Sequence, residues 1–442
     1  MQLNKIINKI FKFIYWTLLI SELPVIFLFA LFYRNSKKNK LIFGTTPIIS
    51  NKYWANALRY AGYDVLTLMS TYYSINKKED YDTYFDDLVP KFLRVEKVRY
   101  ILKPLFVWKY ILRNARVVHL SFDGVIYNGL PFLWRLEPYI LKLAGVKTVL
   151  MPYGSDAYIY SQIPDSSLRH AILSSYPQYA RNEEFIRKRL FKWIKNADVI
   201  ISGIMMDGTG RWDVCMPSFL TIDSKQWKPK MQYSDNDGIN GSVKIMHTPN
   251  HRGFKGTEFL VAAVKELKSE GLDIELILLE KVSNDLVKEK MQEADILAEQ
   301  FILGYALSAI EGMASGLPVL SNLSVEFYTR VFRRYSFLNE CPILSATPET
   351  LKDNLRILVK NPEIRKELGT AGRKYVEKYH SYEAAKYMFE SIYSKLNGED
   401  IDLINLFHPL KSAYNASKPF IKHCLVENKI SSGDDKIKQG QI

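Results

Sequence analysis

The stretch "VKIMHTPNHRGFKGTEFLVAAVKELKSEGLDIELILLE", residues 243–280, decides the fold because it contains a strand, a helix and a second strand in that order. The runs "VKIMHT" (243–248) and "DIELILLE" (273–280) are typical of strands buried in a parallel sheet. Between them, "TEFLVAAVKELKSEG" (257–271) has helical spacing, with Thr257 as the predicted N-cap. Two such strands joined by a helix are the repeating unit of a doubly wound α/β domain.

The same pattern occurs earlier in the chain, so the sequence predicts a second domain of this kind. Its strands are expected at "LIFGTT" (41–46), "DVLTL" (64–68), "VVHLSF" (117–122), "KTVLM" (147–151) and "DVIIS" (198–202). The predicted domains are a membrane-associating segment (1–40), a first α/β domain (41–232), a polar linker "YSDNDGINGS" (233–242), a second α/β domain (243–380), a closing helix (381–396) and a tail (397–442) whose last dozen polar residues are expected to be disordered. The predicted fold is two Rossmann-like domains with a cleft between them.

Composition and charge limit the classes of function. The 442 residues carry a formal net charge of +13, which favours an acidic partner such as anionic lipid or a phosphorylated ligand. The sequence has no zinc-finger spacing and no Arg/Lys-rich run interleaved with aromatic residues, so nucleic acid is not an expected partner. Cys215, Cys341 and Cys424 lie far apart, which argues against a disulfide framework and fits a reducing compartment.

The N-terminal segment predicts attachment to a membrane. In "MQLNKIINKIFK" (1–12), apolar residues recur at helical spacing among lysines, as in amphipathic helices on anionic membrane surfaces. The next run, "FIYWTLLISELPVIFLFALFY" (13–33), is long enough to span a bilayer, with Glu22 as its one charge and Pro24 near its middle. It ends without a small-residue cleavage site, so a cleaved signal peptide is not expected. A span, a broken helix in the membrane interface and a buried core helix all stay open.

Charged residues follow the strands of the second domain, where ligands bind in open α/β folds. In "PNHRGFKGT" (249–257), Arg252 and Lys255 precede a helix N-terminus, whose N–H groups and dipole favour an anion such as a diphosphate. The alternative is a solvated turn with two ordinary basic residues. Glu311 begins the helix of "YALSAIEGMASGLPVLSN" (305–322). A carboxylate there can accept hydrogen bonds from both hydroxyls of a ribose; alternatively, it is simply stabilised by the helix dipole. Together these residues predict a nucleotide-diphosphate site.

Residues 243–322 resemble the C-terminal, donor-binding domain of the GT-B glycosyltransferases of family 4. The resemblance rests on "HRGFKGTEFLVAAVKEL", "ADILAEQ" and "GYALSAIEGMASGLPVLSN", and it extends to "FLTIDSKQWKPK" and "NPEIRKELGTAGRKYVEKYHS". Across residues 41–200 it is weaker. The resemblance implies transfer of a sugar from a nucleotide-sugar donor with retention of anomeric configuration, and neither a metal nor another cofactor.

The resemblance also implies roles for single residues in donor binding. Lys255 and Arg252, with the backbone at Gly256, would bind the donor phosphates and stabilise the leaving diphosphate. Glu311 matches the second glutamate of the family's E-x7-E motif.

The first glutamate of that motif falls at Leu303, so the usual contact to the donor sugar is missing. Backbone groups near Gly304 and Tyr305, or the side chain of Gln300, are the candidates to replace it, whereas Glu299 lies out of register. This departure leaves open an inactive relative of the transferases.

The first domain offers weaker candidates for catalysis. Asp156, in "MPYGSDAY" (151–158), follows a strand and would orient the acceptor hydroxyl or the reacting sugar; alternatively it caps a turn. His119 is a second candidate, with a satisfied core histidine as the alternative. No metal site is predicted, because a proline separates His247 from His251 and disfavours the helix on which their spacing would serve a metal.

The expected protein is therefore a membrane-associated glycosyltransferase of bacterial type. It would transfer a sugar to a lipid-linked glycan in the synthesis of capsule, O-antigen or exopolysaccharide. Because nucleotide sugars are cytoplasmic, the expected location is the cytoplasmic face of the cell membrane, peripheral or single-pass. Two alternatives remain: a catalytically inactive GT-B partner subunit of a transferase complex, and a nucleotide-sugar epimerase, against which the membrane segment argues.

Overall fold

The computed structural model describes residues 2–73, 76–93, 95–201, 203–204 and 210–426. The strands are β1 (Lys40–Thr45), β2 (Val65–Met69), β3 (Thr83–Tyr84), β4 (Ala115–Leu120), β5 (Lys147–Leu150), β6 (Val199–Ile200), β7 (Val243–His247), β8 (Ile274–Leu278), β9 (Ile296–Gln300), β10 (Val319–Ser321) and β11 (Leu344–Ser345). The helices are α1 (Gln2–Phe32), α2 (Ser50–Tyr60), α3 (Glu96–Asn114), α4 (Glu137–Leu143), α5 (Ser166–Ser175), α6 (Pro177–Arg181), α7 (Glu183–Asn196), α8 (Arg252–Lys255), α9 (Thr257–Ser269), α10 (Asn284–Glu293), α11 (Leu307–Ala314), α12 (Glu326–Tyr335), α13 (Leu351–Lys360), α14 (Pro362–Tyr379), α15 (Tyr382–Leu396) and α16 (Ala413–Ala416).

The first unit, residues 1–156 and 188–200, contains a six-stranded parallel sheet. Its strand order is β3-β2-β1-β4-β5-β6, which is the order of a Rossmann-like domain. The order reverses between β1 and β4, and ligands of open α/β sheets bind beyond the carboxyl ends of such strands. The core includes the fully buried indole rings of Trp54, Trp108, Trp134 and Trp193.

The second unit, residues 157–187 and 201–442, contains a five-stranded parallel sheet in the order β11-β10-β9-β7-β8. This is also a doubly wound order, and here the reversal lies between β7 and β9. One cluster of buried apolar side chains joins the sheet to α9 and α13; it includes Val243, Ile245, Leu260, Leu267, Ile296, Leu351 and Leu355. The predicted pair of parallel α/β folds is therefore confirmed.

Several predicted elements match the structure, and others differ. The five strands predicted for the first domain correspond to β1, β2, β4, β5 and β6. The short edge strands β3 and β11 and the inner strand β9 were not predicted. Residues 157–187 and 201–232, assigned by the sequence to the first domain, group with the second unit. The proposed boundaries of separate domains stay a prediction, and the predicted disordered end, 431–442, lies outside the described residues.

The predicted linker is a fixed part of the second unit. The guanidinium of Arg365 donates to the carbonyl oxygens of Ser234 and Asn236 at 2.9 and 2.6 Å, and also to those of Leu358 and Val359. Arg365 is fully buried, so this segment is held by a charged group inside the fold. Its polar composition therefore reflects turns rather than a free tether.

The N-terminal segment forms one helix, α1, which continues through Pro24 rather than breaking there. Its window Tyr15–Phe32 has a mean hydropathy of 1.9 and is long and apolar enough to cross a membrane, a test that core helices and signal sequences also pass. Only 22% of that window is buried, so the alternative of a core helix is wrong. The buried side packs against α3 and α4.

Candidate functional site

A tight turn after β7 positions the predicted phosphate-binding residues. The one-turn helix α8 ends at Gly256, whose φ of 71° lies in the left-handed region that favours glycine. A Cβ atom at Gly256 would lie 3.3 Å from the Cβ of Phe301, so the tight packing here also favours a residue without a side chain. Gly256 is the N-cap of α9, so the prediction of Thr257 as N-cap was wrong. The Thr257 hydroxyl instead lies 2.9 Å from Nε2 of His247, because it faces the sheet.

Helix α5 supports this turn from within the second unit. It packs against α8, and a Cβ atom at Gly253 would lie 2.6 Å from Oγ of Ser174 on α5. Next to α5, the Tyr176 hydroxyl forms a hydrogen bond with Nε2 of His251. The backbone that carries Arg252 and Lys255 is therefore enclosed by a helix that comes from much earlier in the chain.

The ammonium group of Lys255 lies where the strand order reverses. It forms an ion pair with Glu299, a 2.9 Å hydrogen bond to Oε1 of Gln300 and a 3.5 Å contact with Oγ of Ser308. Glu299 and Gln300 are the last two residues of β9, whereas Lys255 follows β7. The side chain thus bridges the carboxyl ends of the two strands between which a ligand is expected.

Glu299 is a candidate site residue that the sequence analysis did not select. Its fully buried side chain pairs with Lys255 and accepts hydrogen bonds from Ser308 (2.8 Å) and Ser321 (3.0 Å). These contacts fix the carboxylate and, through it, the lysine. The signal available in the sequence was the acid that follows the apolar run in "ADILAEQ". The glutamates of the family motif fall at other positions.

Glu311 lies on α11, one turn after Ser308, and is buried. Burial raises the pKa of its carboxyl group to about 8, and the charges of Lys288 and Lys255, with a hydrogen bond from Asn284, oppose this rise. The charge of Lys255 therefore reaches Glu311. The structure brings these two predicted residues into one region of the second unit.

Arg252 is half exposed and holds two carboxylates. It pairs with Glu280 through two hydrogen bonds of 2.9 and 2.8 Å, and with Glu258 through one of 2.8 Å. Both predicted phosphate-binding cations, Arg252 and Lys255, therefore carry acidic partners. Their phosphate-binding role stays a prediction, and it requires a diphosphate to share or displace these carboxylates.

The remaining residues predicted to bind a donor have distinct positions. Gly304 donates its N–H to the carbonyl of Asn322 at 2.7 Å, and its φ is 76°. The Tyr305 hydroxyl lies 3.2 Å from the Tyr375 hydroxyl and 3.2 Å from Nε2 of His380, so its side chain points into the interior. Only the backbone of Tyr305 is then left for a donor.

Gln300 and Leu303 complete this loop. Gln300 donates its amide to the carbonyl of Leu303 at 2.6 Å while accepting from Lys255. The Leu303 side chain is fully buried and apolar. The position where the family has its first glutamate thus serves the core, and no carboxylate replaces it there.

In the first unit, Asp156 organises a turn. Its carboxylate accepts hydrogen bonds from the backbone N–H groups of Phe122 (2.9 Å), Tyr153 (3.0 Å) and Gly154 (2.9 Å), and it is 1% exposed. Burial raises its pKa to about 7. These contacts are those of the turn-capping alternative, and a catalytic role for Asp156 stays a prediction.

Asp123 is a second acid at this edge that was not predicted. It pairs with Arg189 at 2.8 Å and accepts a 2.7 Å hydrogen bond from the Tyr153 hydroxyl. It follows β4, one of the two strands between which the first sheet reverses, and nearby the hydroxyls of Thr46 and Ser121 lie 3.0 Å apart. The stretch "SFDG" directly after an apolar strand was its signal.

The histidines have structural partners. His119 is buried, stacks on Phe43 with ring centroids 3.9 Å apart and contacts a backbone carbonyl, so the core-histidine alternative is confirmed. His247 lies between a backbone carbonyl and a threonine hydroxyl, and His251 contacts a tyrosine hydroxyl. Within the ranges that the structure describes, no group of three or more His, Cys, Asp or Glu side chains is placed to hold a metal ion.

Comparison with known proteins finds similar solved structures only. No protein-family model and no curated protein matches the sequence. An α-glucosyltransferase in complex with UDP and a mismatched DNA is 10% identical over 81% of this chain and 100% of that chain, with a TM-score of 0.48. The catalytic domain of Arabidopsis thaliana starch synthase IV with ADP and acarbose is 10% identical over 81% and 99%, with a TM-score of 0.47. S. aureus MnaA with UDP is 13% identical over 82% and 97%, with a TM-score of 0.43. At identities and TM-scores this low, the similarities assign neither a family nor an activity to this chain.

Proposed function

We propose that the chain is a GT-B glycosyltransferase that takes a sugar from a nucleotide-sugar donor. The observation that carries the proposal is the position of Lys255, which bridges the ends of β7 and β9 at the reversal of a doubly wound sheet. Glu311, on the helix that follows β9, supplies a buried acid in the same region. A cation and an acid at such a point suit the diphosphate and the ribose of one nucleotide.

The proposed chemistry uses Lys255 and Arg252 as the groups that meet the donor phosphates. Negative charge grows on the diphosphate as the bond to the sugar breaks, and a fixed ammonium group in a water-poor site stabilises that charge. Glu299 holds Lys255 in place before the donor arrives. Glu311 accepts the ribose hydroxyls, and the backbone of Gly256, Gly304 and Tyr305 lines the loops on either side.

The finer parts of the proposal concern the acceptor and the location. We propose a lipid-linked saccharide acceptor, retention of configuration, no metal, and work at the cytoplasmic face of a bacterial cell membrane in polysaccharide synthesis. The apolar helix α1 and the net charge of +13 support a membrane with anionic lipid. Asp156 and Asp123, at the edge of the first sheet, are the candidates for contact with the acceptor hydroxyl.

A thermal-shift screen of the purified chain against nucleoside diphosphates and their sugars tests donor binding. We expect the nucleotides of one base to raise the melting temperature, and we expect Lys255→Ala to abolish that rise. Lys265→Ala, which changes an exposed lysine on α9, is the control and should leave the rise intact. Donor hydrolysis, or transfer with membrane extracts, then tests the reaction. No shift with any nucleotide would overturn the proposal.

A second candidate function is an inactive GT-B partner subunit, which the buried Leu303 at the motif position favours. In that case, Lys255→Ala and Glu311→Ala would leave the function of the transferase complex in cells unchanged. Appearance of an isomerised nucleotide sugar without any acceptor would instead point to an epimerase.

A further inference from the structure

From Tyr15 to Phe32, the outward face of α1 is mostly apolar. Its most exposed large side chains, Leu28 (63%), Leu31 (52%) and Phe32 (79%), follow one another at helical spacing, and Leu18 and Val25 continue the same face. On a helix that meets water, this side would carry polar residues. Helix α1 therefore lacks the polar outer face of an ordinary surface helix.

The opposite face of α1 rests on the first unit. Leu19, Ile26 and Ala30 are fully buried there, in contact with α3 and α4. Glu22 lies on this buried face, and neither of its carboxylate oxygens has a hydrogen-bond partner among the described residues. The helix thus has apolar side chains on both faces, and its one acid faces the protein.

The apolar surface continues from α1 onto its neighbours. The ring of Tyr15 lies 5.0 Å from that of Tyr100 on α3, and Trp16 lies 6.2 Å from Phe132. Tyr100 and Phe132 are themselves 49% and 40% exposed. Aromatic rings at the border of an apolar surface are typical of the boundary between lipid and water.

The charge around this surface fits an anionic bilayer. Glu22 is the only acidic residue before Asp64, and its carboxylate is turned inward. The basic residues of the first 40 positions are Lys5, Lys9, Lys12, Arg34, Lys37, Lys38 and Lys40. The segment that carries the apolar strip therefore also carries an excess of positive charge, which anionic lipid headgroups complement.

We infer that α1 is an in-plane membrane helix: its inner face stays docked on the first unit, and its outer face enters one leaflet of an anionic bilayer. A span would take the same helix away from α3 and α4 and place Glu22 in hydrocarbon. The inference rests on the membrane part of the proposed function and sharpens it. It does not depend on which reaction the chain performs.

Flotation of the full chain with vesicles of phosphatidylcholine, with and without phosphatidylglycerol, tests the inference. We expect binding to both and tighter binding to the anionic vesicles. Phe32→Glu combined with Leu28→Glu should weaken binding by about tenfold or more, because charge replaces apolar contact. Phe327→Glu on α12 is the matched control: Phe327 is 70% exposed in the other unit, and its change should leave binding unaltered.

A topology measurement separates the in-plane helix from a span. In a Cys424→Ser background, since Cys424 is the exposed native cysteine, Lys5→Cys is labelled with a membrane-impermeant maleimide on sealed vesicles. Full labelling from the side of the domains is expected. Protection until the vesicles are opened would show a span. Unchanged flotation of the Phe32→Glu, Leu28→Glu variant would also overturn the inference, as would a chain that forms dimers and does not bind vesicles. Neither result bears on nucleotide binding.

Discussion

At the scale of single residues, the Lys255–Glu299 pair makes opposite predictions for stability and for binding. Glu299→Gln leaves the lysine buried without its counter-charge, so we expect the free energy of unfolding to fall by about 3 kcal/mol. The same change frees the ammonium group for a diphosphate, so the thermal shift with nucleotide should exceed that of the unaltered chain. Glu293→Gln, which breaks the exposed pair with Lys290, is the control and should leave stability nearly unchanged, because solvent screens that pair.

Glu311 predicts a pH dependence of nucleotide binding. Its pKa is raised to about 8, so at neutral pH the carboxyl is mostly protonated. Ribose hydroxyls donate to the ionised form, so affinity should increase as pH rises from about 6.5 to about 9, by up to about tenfold per unit below the pKa. Titration calorimetry at several pH values measures this, and Glu311→Gln should remove the slope. A flat profile in the unaltered chain would contradict the ribose role.

The ligand-free protein should show the opposite sign for stability. The folded-state pKa of Glu311 lies above its ordinary value of 4.5, so the folded chain holds this proton more tightly than the unfolded chain does. The stabilisation is complete below pH 4.5 and is lost as pH rises through about 8. Urea unfolding of the unaltered chain and of Glu311→Gln should therefore converge toward acid and diverge toward base.

Single residues could be predicted from the sequence where a charged side chain follows the end of an apolar strand. They could not be predicted where the residue is identified by a partner distant in the sequence. Lys255 and Glu311 were found because a loop and a helix after apolar strands mark the ligand edge. Glu299 and Asp123 were missed because their importance lies in partners 44 and 66 residues away, Lys255 and Arg189 respectively. Periodicity carries no information about such pairs.

At the scale of elements, the turn between α8 and α9 predicts a cost for any side chain at Gly256. Gly256→Ala puts a Cβ at a φ of 71° and close to Phe301, so we expect a loss of about 1–3 kcal/mol in stability. Lys255 precedes this turn, so nucleotide affinity should fall as well. Gly271→Ala, at a φ of 92° with no atom near its Cβ, is the control that carries backbone strain alone and should leave nucleotide affinity unchanged.

Helix α1 predicts an unusual gain in stability. Because both carboxylate oxygens of Glu22 lack partners among the described residues, Glu22→Leu should stabilise docking of α1 by about 1–3 kcal/mol. Unfolding in urea, followed by tryptophan fluorescence with detergent covering the outer face, measures the change. Ser21→Ala, at an exposed position, should have little effect; a loss of stability in Glu22→Leu would mean that the acid has a stabilising partner.

Element-scale prediction recovered most of the long strands and missed three. β3 and β11 are edge strands of two residues each, and in β9 only Ile296, Leu297 and Ala298 form an apolar run before Glu299 and Gln300. The linker of residues 233–242 looked flexible because its composition is polar, but Arg365 from α14 fixes it. The sequence also left open whether α1 breaks at Pro24, since proline commonly breaks helices, and the structure shows one continuous helix.

At the scale of the whole molecule, the net charge of +13 predicts a salt-dependent attachment to anionic vesicles. Raising salt from about 0.05 M to about 0.5 M should weaken this binding several-fold, because screening shortens the reach of the basic residues. Binding to neutral vesicles, which depends on the apolar face of α1, should change little. Equal loss on both kinds of vesicle would contradict a separate contribution from charge.

Whole-molecule organisation was the least predictable level. Two parallel α/β folds follow from alternating strands and helices, and the structure confirms them. The assignment of residues 157–187 to the second unit does not follow, because it depends on the packing of α5 against α8, which lie some 80 positions apart in the sequence. Only contacts between distant parts of the chain reveal it.

The chain passes between its two units three times, after Asp156, after Arg187 and after Ile200. A gene fragment that begins at residue 201 would therefore encode the second sheet without α5, the helix that encloses the turn bearing Lys255. Such a truncated protein would lose the helix that packs against this turn, however well its sheet folded. Dissecting the two halves calls for a rearranged gene that restores residues 157–187, rather than for a single stop or start codon.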